Sequence, residues 1–320
     1  MKQAEFESRH QSFWSNFEEL VNNLATADSE SITRFPQSYR RVCQHHAVAK
    51  SRRYASSLSE KLNGLVQQGY LALYAGSGRK GVFLDFIFYG FPTTLRANAK
   101  YLWIATGLFV VPAILMAIAC LLNDQIIYSL MDAANVRSFE SMYDPELGKL
   151  GRQRQSDSDL LMFGFYIQNN IGVAFRCFAT GIFAGIGSLY FIVVNGLILG
   201  GVAGHLSSLG YNETFYPFVI GHGSFELTAI VFSGAAGLKI GHALIAPGKY
   251  TRVVALQTAA ADAIKIVYGV ILMLLIAAFI EAFWSSSSSL SVGVKVSVGS
   301  FLWFLVIYYC FINGRVRRAT

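Results

Sequence analysis

The sequence predicts an all-α, polytopic membrane protein, in which a cytoplasmic N-terminal helical bundle precedes a bundle of about six transmembrane helices. Of the 320 residues, 53% are hydrophobic and only 14% are charged, whereas about 25% are charged in a typical soluble domain. The apolar residues also come in blocks of roughly 20, which is long enough to cross a hydrocarbon core about 30 Å thick. A net charge of +7 would suggest nucleic acid as the partner of a soluble chain. Here the lipid bilayer is the expected partner, and nucleic acid is not.

Residues 1–81 have the pattern of a cytoplasmic helical region. From Phe6 to Leu24, apolar residues recur three and four positions apart, as on one face of a helix. We expect a break at Phe35-Pro36 and two further helices, packed with the first as a small bundle. Residues 82–100 are apolar and aromatic, but Pro92 interrupts them and they are too short to span. They predict an amphipathic helix lying on the cytoplasmic membrane surface.

Residues 101–314 are predicted to form the transmembrane domain. The Asn195-Gly196 pair is interpreted as the turn between the second and third spans. An external loop over 123–170 is expected to be irregular apart from a short helix around 129–134, and residues 315–320 form a basic cytoplasmic tail. The six spans are placed at about residues 101–122, 171–194, 195–209, 215–245, 264–283 and 296–312.

The distribution of basic residues predicts the orientation. Thirteen Lys and Arg residues precede Tyr101, whereas the external loop has four of them against seven acidic residues. Further basic residues follow the fourth and sixth spans: Lys249, Arg252, Arg315, Arg317 and Arg318. Because cytoplasmic loops carry the excess of Lys and Arg, both termini are predicted to be cytoplasmic.

His222 and Glu226 form the sharpest polar feature inside a predicted span. Their i, i+4 spacing places both side chains on one helix face. A carboxylate at this depth costs about 2.5–3.5 kcal/mol on insertion scales, so it must be paired or face a polar cavity. One interpretation is a His–Glu pair that satisfies itself and holds the helix to its neighbours, and the other is a site that handles protons or ions. No metal site is expected, because two ligands are too few.

Three asparagines and one arginine complete the predicted intramembrane polar site. Asn169, Asn170 and Asn195 either cap and turn the chain at the membrane boundary or reach across the bundle to Glu226 or His222. Arg176 either extends outward to the interface or pairs with Glu226.

Small residues and boundary charges are interpreted as structural. Glycines four apart allow close helix packing in lipid, or a self-association face. Asp262 and Lys265 are predicted to form an ion pair at the cytoplasmic boundary, where Arg96 and Arg252 also lie. The predicted packing glycines are Gly181, Gly185, Gly196, Gly200, Gly204, Gly223, Gly237 and Gly241.

The motifs together resemble the stage II sporulation protein M family of integral membrane proteins. The resemblance runs from about Phe13 to Arg252 and also includes Phe35-Pro36-x-x-Tyr39-Arg40 and Phe91-Pro92-x-x-Leu95-Arg96. Within the spans it rests on Asn169-Asn170 with Val173-Ala174-Phe175, Gly181-x-x-x-Gly185, Asn195-Gly196, His222-Gly223-x-x-Glu226, Gly234-Ala235-Ala236-Gly237-Leu238, and Pro247-Gly248 with Arg252.

This resemblance implies a multispanning protein of the bacterial inner membrane without known enzymatic activity. The family's namesake anchors peptidoglycan-degrading partners, and many relatives are encoded near MoxR-type ATPases. No catalytic triad or cofactor fingerprint occurs in the sequence, so neither an enzyme nor a cofactor is expected. We therefore expect a non-catalytic membrane scaffold whose partner is a cell-wall enzyme or a MoxR-type ATPase system. The alternative is a homo-oligomeric transporter or channel, with a homodimer the simplest form, that uses His222 and Glu226.

Overall fold

The computed structural model describes residues 2–24, 27–74, 82–147, 159–287 and 289–312. All regular elements in these ranges are helices, which confirms the predicted all-α class. The chain divides into two compact units, Met1–Phe83 and Leu84–Thr320. The predicted basic tail and three basic residues of the predicted external loop (Lys149, Arg152 and Arg154) lie outside the described residues.

Three helices around one apolar core form the first unit: α1 (Gln3–Asn22), α2 (Ser29–Ser51) and α3 (Ser56–Tyr74). Trp14 is fully buried, and Phe35 stacks on Phe17 with 5.6 Å between ring centroids. The predicted break at Phe35-Pro36 is wrong, because Pro36 lies inside α2. A proline inside a helix costs about 3 kcal/mol, and burial of the adjacent Phe35 offsets much of that cost.

Residues 82–97 form a broken helix, which corrects the prediction of one amphipathic helix over 82–100. α4 (Val82–Asp85) leads through a π-helical turn at Phe86–Gly90 into α5 (Phe91–Ala97). Phe91 is 2% exposed, and its ring would lie 2.1 Å from a Cβ placed on Gly269. α5 therefore packs into the helical bundle and does not lie wholly on its surface.

Six long helices and one short one make up the bundle. The central helix is the fifth of the seven: it packs against the other five long helices, and 61% of its most apolar stretch is buried. The seven helices are α6 (Ala99–Leu122), α7 (Ala133–Tyr143), α8 (Asp159–Ala179), α9 (Ile186–Ser208), α10 (Asn212–Ile245), α11 (Arg252–Ile280) and α12 (Val292–Phe311).

Five helices in the described ranges are long and apolar enough to cross a membrane: α6, α9, α10, α12, and α11 together with the π-helical turn that extends it to Ser285. The chain is therefore a multi-pass membrane protein. α8 has a similar length of 21 residues but is not among the five. Its crossing of the membrane stays a prediction.

Close backbone contacts give the relative directions of the helices. A Cβ on Gly196 of α9 would meet the Phe109 carbonyl oxygen of α6 at 2.3 Å, and one on Gly204 would meet the Ala117 carbonyl oxygen at 2.2 Å. Because residue numbers rise together along both helices, α6 and α9 are parallel, although α8 separates them in the sequence.

α8 lies beside the central helix and runs in the same direction. Ser233 of α10 donates a hydrogen bond to the Ala174 carbonyl oxygen, and one turn further along Gly237 lies against the Cys177 carbonyl oxygen. α9 runs the opposite way, since a three-residue connection joins it to α10. α8 therefore packs among the apolar helices, parallel to α10 and antiparallel to α9.

The predicted limit between the second and third spans is wrong. Asn195-Gly196 lies in the middle of α9, and the chain reverses at residues 180–185 instead. There a 3₁₀ turn (Thr180–Ile182) leads to Ala184 and Gly185, whose φ angles are +53° and +83°. Glycine adopts this left-handed backbone without steric cost, which explains why the helix ends there.

The described part of the segment between α6 and α8, residues 123–147, is more ordered than predicted. A 3₁₀ helix (Asp124–Ser129) and α7 follow α6, and the Asp132 side chain caps α7 by accepting from two backbone N–H groups. α8 also begins at Asp159 and not near 171. The prediction of an irregular loop reaching residue 170 is therefore wrong.

Candidate functional site: a buried polar cavity

A cavity of about 260 Å³ lies beside α10, between α8, α9 and the end of α11. Most of its wall is apolar or aromatic, including Phe109, Tyr166 and Phe218. Six polar side chains also line it: Asn169, Asn170, Asn195, His222, Glu226 and Glu281. Polar groups at this depth are costly unless they are paired or bind something, so the cavity is the candidate functional site.

Helix geometry brings three ionisable side chains to one place. His222 and Glu226 are one turn apart on α10, and Glu281 begins the π-helical turn at the end of α11. One nitrogen or oxygen atom from each of the three residues lies within 4.8 Å of the others. Such π-helical turns are frequent at functional sites, and this one places Glu281 opposite the two residues of α10.

His222 does not form the self-satisfying pair with Glu226 that the spacing suggested. It is 6% exposed, and its Nδ1 atom lies 3.2 Å from Ser285 Oγ. The Ser285 backbone carbonyl oxygen in turn accepts a hydrogen bond of 2.8 Å from Nζ of Lys295, a residue of α12 that is 2% exposed. A polar chain therefore joins α10, the end of α11 and α12 behind the cavity wall.

The two asparagines of α8 lie inside the helix and do not cap it, which corrects that interpretation. Nδ2 of Asn169 donates to Oδ1 of Asn170 at 3.0 Å. Asn170 is 2% exposed, and its own Nδ2 faces the Glu226 carboxylate without forming a hydrogen bond of normal geometry to any described residue. The alternative interpretation, an amide that reaches towards Glu226, matches this position.

The other two predicted polar residues behave differently. Asn195 lines the cavity, while its Nδ2 donates to the Phe191 carbonyl oxygen at 2.7 Å, so it does not mark a span boundary. Arg176 is exposed, and its Nε donates to the Gly172 carbonyl oxygen at 3.1 Å. The suggested ion pair between Arg176 and Glu226 is therefore wrong.

The predicted packing glycines lie at close helix contacts, with one exception. Gly181 contacts Gly237, Gly185 contacts Gly241, and Gly196, Gly200 and Gly204 contact backbone carbonyls of α6. The exception is Gly223, which lines the cavity. A Cβ there would meet side chains of its own helix only, Val219 and Leu227.

The predicted boundary charges have partly different partners. Asp262 lies 2.5 Å from Nζ of Lys239 on α10 but 3.9 Å from Lys265. Lys239 also donates to Asn98 Oδ1 at 2.6 Å. Lys239, which was not predicted as a partner, is therefore the principal partner of Asp262.

The other two predicted boundary residues, Arg96 and Arg252, have different surroundings. Arg96 donates from Nη1 to the Cys310 carbonyl oxygen at 3.1 Å, and Arg252 is exposed at the start of α11.

Sequence reasoning missed Glu281, Ser285 and Lys295. A signal was present, since Glu281 is the single acidic residue between Asp262 and the end of the chain. An isolated charge within an apolar stretch indicates a buried polar contact. Likewise, the argument against a metal site counted two ligands, and the fold supplies Glu281 as a third.

These features define a class: a multi-pass α-helical membrane protein with a buried polar cavity and a separate three-helix unit. The chain belongs to the stage II sporulation protein M family, whose model matches residues 104–286 and so includes every ionisable residue of the cavity. A model described as a domain of unknown function (DUF8413) matches residues 4–75, within the first unit. No curated protein and no solved structure matches the chain.

Proposed function

We propose that the protein is a non-catalytic scaffold that holds partner proteins at the bacterial inner membrane. The observation that carries this proposal is the first unit. It has its own apolar core, and a family model of its own matches it. A separately folded helical unit joined to a membrane bundle adds a surface that membrane crossing does not need.

The charge on α2 supports an acidic partner surface. Arg34, Arg40, Arg41 and Lys50 are exposed on this helix, against one acidic residue, Glu30. Charge complementarity of this kind steers association and suppresses wrong partners. With both termini cytoplasmic, this basic surface faces a cytoplasmic protein. A MoxR-type ATPase is one such partner, and a cell-wall enzyme would instead bind on the opposite side of the membrane.

Crosslinking in native membranes tests the scaffold. The full chain is purified as wild type, as the double variant Arg40→Glu/Lys50→Glu, and as the control Glu18→Gln, which alters an exposed residue of α1. We expect mass spectrometry to identify a stoichiometric partner with the wild type and the control, reduced at least tenfold by the double variant. Equal recovery from all three proteins would count against a docking role for α2.

A second candidate function is a homo-oligomeric transporter or channel for ions or protons. The observation that favours it is the cavity itself, where His222, Glu226 and Glu281 converge in a membrane bundle, because ionisable residues inside membranes mark transport pathways. Flux into liposomes that contain the purified protein tests this function. Glu226→Gln should abolish the flux while the protein remains monodisperse. If wild-type protein shows no flux of protons or cations, the second candidate is eliminated.

A further inference from the structure

Two carboxylates approach each other in the cavity. Glu226 and Glu281 each place an oxygen within 4.8 Å of the other and of a His222 ring nitrogen. Two negative charges this close together in a low-dielectric bundle repel strongly. Lys295 supplies one positive charge nearby, but its ammonium group donates to the Ser285 carbonyl oxygen. A cation bound between the two carboxylates would relieve this repulsion.

One ring nitrogen of His222, Nδ1, has a hydrogen-bond partner outside the carboxylate cluster. In metal sites, the ring nitrogen that does not bind the metal usually donates a hydrogen bond that fixes the tautomer. Here Nδ1 faces Ser285 Oγ at 3.2 Å. With the proton on Nδ1, Nε2 has a free lone pair for a cation.

Asn170 supplies an independent observation. Its side chain is 2% exposed, lines the same cavity and leaves its Nδ2 atom without a hydrogen-bond partner in the described residues. If both amides of the Asn169–Asn170 pair turn by 180°, their mutual hydrogen bond is kept and Oδ1 of Asn170 replaces the unpaired nitrogen. A buried amide oxygen beside two carboxylates and an imidazole makes a fourth oxygen or nitrogen ligand available.

We propose that His222, Glu226 and Glu281, with Asn170 beside them, bind one divalent transition-metal ion inside the membrane bundle. The mixed set of imidazole and carboxylate ligands suits Zn²⁺ or Mn²⁺ better than Mg²⁺, which takes oxygen ligands and keeps its waters. The ion would neutralise both carboxylates. It would also join α10 to the end of α11, since two ligands come from α10 and one from the π-helical turn.

The distances leave room for an ion. Bonds of about 2.0–2.2 Å to nitrogen and oxygen give neighbouring ligand atoms a separation of roughly 3.0–3.4 Å. Since the ligand atoms lie no more than 4.8 Å apart, binding requires the side chains to close by at most about 2 Å, a shift on the scale of a side-chain rotation. The proposed metal site depends on neither of the two candidate functions. Metal binding can be measured without partner assembly and without transport.

Metal content and thermal stability of the full-length protein in detergent test the site, with ZnCl₂ as the probe after treatment with EDTA. We expect Zn²⁺ to raise the melting temperature by several degrees in the wild type, since a ligand that binds only the folded state stabilises it. The matched variants are Glu281→Gln in the cluster and Glu213→Gln at an exposed position of α10. Glu281→Gln should weaken Zn²⁺ binding at least tenfold and lose one bound ion per chain, and Glu213→Gln should match the wild type.

A gain-of-affinity variant keeps the test decisive if Glu281→Gln fails to fold. Asn170→Asp adds a third carboxylate to the cavity. It should melt at a lower temperature than the wild type in EDTA and gain more stability from Zn²⁺. The proposal is overturned if Zn²⁺ leaves the wild-type melting temperature unchanged, if Glu281→Gln and Asn170→Asp both respond to Zn²⁺ as the wild type does, or if Mg²⁺ stabilises the protein equally well.

Discussion

Gly237 of α10 lies against the backbone carbonyl of Cys177 on α8, so that a Cβ at Gly237 would come within 2.7 Å of that oxygen. The same Cβ would meet Ser188 Oγ of α9 at 2.1 Å. Ser188 already uses this hydroxyl to donate to the Cys177 carbonyl oxygen at 2.6 Å. Three helices therefore meet at one glycine, one turn beyond the hydrogen bond between Ser233 and Ala174.

Gly237→Ala should destabilise the bundle severely. The added methyl group would press on two backbone carbonyls of α8 and on the Ser188 hydroxyl of α9, so we expect a cost of about 2 kcal/mol or more. Gly172→Ala on α8 is the matched control, because its Cβ would meet nothing within 4 Å. Thermal unfolding in detergent measures both. Equal melting temperatures would show that α8, α9 and α10 do not meet as closely as described.

The charges around Lys239 give a prediction that separates two possible partners of Asp262. Asp262→Ala should cost about 1–3 kcal/mol, because it leaves the ammonium group of Lys239 largely buried with Asn98 as its one remaining partner among the described residues. Lys265→Ala should change stability by less than about 0.5 kcal/mol, because that pair is 3.9 Å long and more exposed. Chemical denaturation of the two variants decides between them, and a larger loss for Lys265→Ala would contradict this assignment.

Labelling of a native cysteine thiol can test the predicted membrane topology. Cys43 is half-buried in the first unit, whereas the other three cysteines, Cys120, Cys177 and Cys310, are buried. A membrane-impermeant maleimide should label Cys43 in inverted vesicles and not in intact spheroplasts. In a Cys43→Ser background, Ser287→Cys should show the reverse accessibility. Labelling of both positions from the same side would contradict six crossings with cytoplasmic termini.

Acid should loosen the first unit. Nε1 of Trp14 donates to Nδ1 of His45 at 3.0 Å, so that nitrogen must be unprotonated in the folded unit. Burial, together with the positive charges of His10 and Arg41, lowers the pKa of His45 from 6.5 to about 4. The unfolded state therefore binds more protons at pH values between these two, and stability that is fully present above pH 6.5 falls as the pH decreases towards 4.

The loss is on the order of 2–3 kcal/mol. It can be followed by the fluorescence of Trp14 in a full-length protein whose other tryptophans, Trp103, Trp284 and Trp303, are replaced by Phe. His45→Gln should flatten this pH dependence, whereas His46→Gln, a change at the neighbouring position, should preserve it. An unchanged pH profile in His45→Gln would assign the effect to other groups.

Patterns within one helix predicted much of the architecture. The spans around α6, α10 and α12 follow from apolar length alone, and the spacing of His222 and Glu226 correctly places them on one helix face. These properties depend on neighbours three or four residues away. They are therefore readable before any helix packs against another.

Local sequence patterns could not predict which helices contact one another. Asn195-Gly196 resembles a turn in isolation, but in the fold Gly196 lies in the middle of α9 because it packs on the Phe109 carbonyl of α6. Likewise Glu281 and Lys295 become part of the polar cluster only when the end of α11 and the start of α12 meet α10. Which buried faces meet is decided by tertiary packing, and a single sequence does not display it.

The polarity of α8 has a consequence for biogenesis. Asn169 and Asn170 form a polar patch in the middle of a helix that packs among the apolar ones. The groups that accommodate this patch, Glu226 and the turn at Glu281, are synthesised later, in α10 and α11. A nascent α8 that leaves the ribosome therefore lacks the neighbours it needs to settle in lipid. We therefore expect α8 to reach its final position only after the C-terminal half of the chain has been translated.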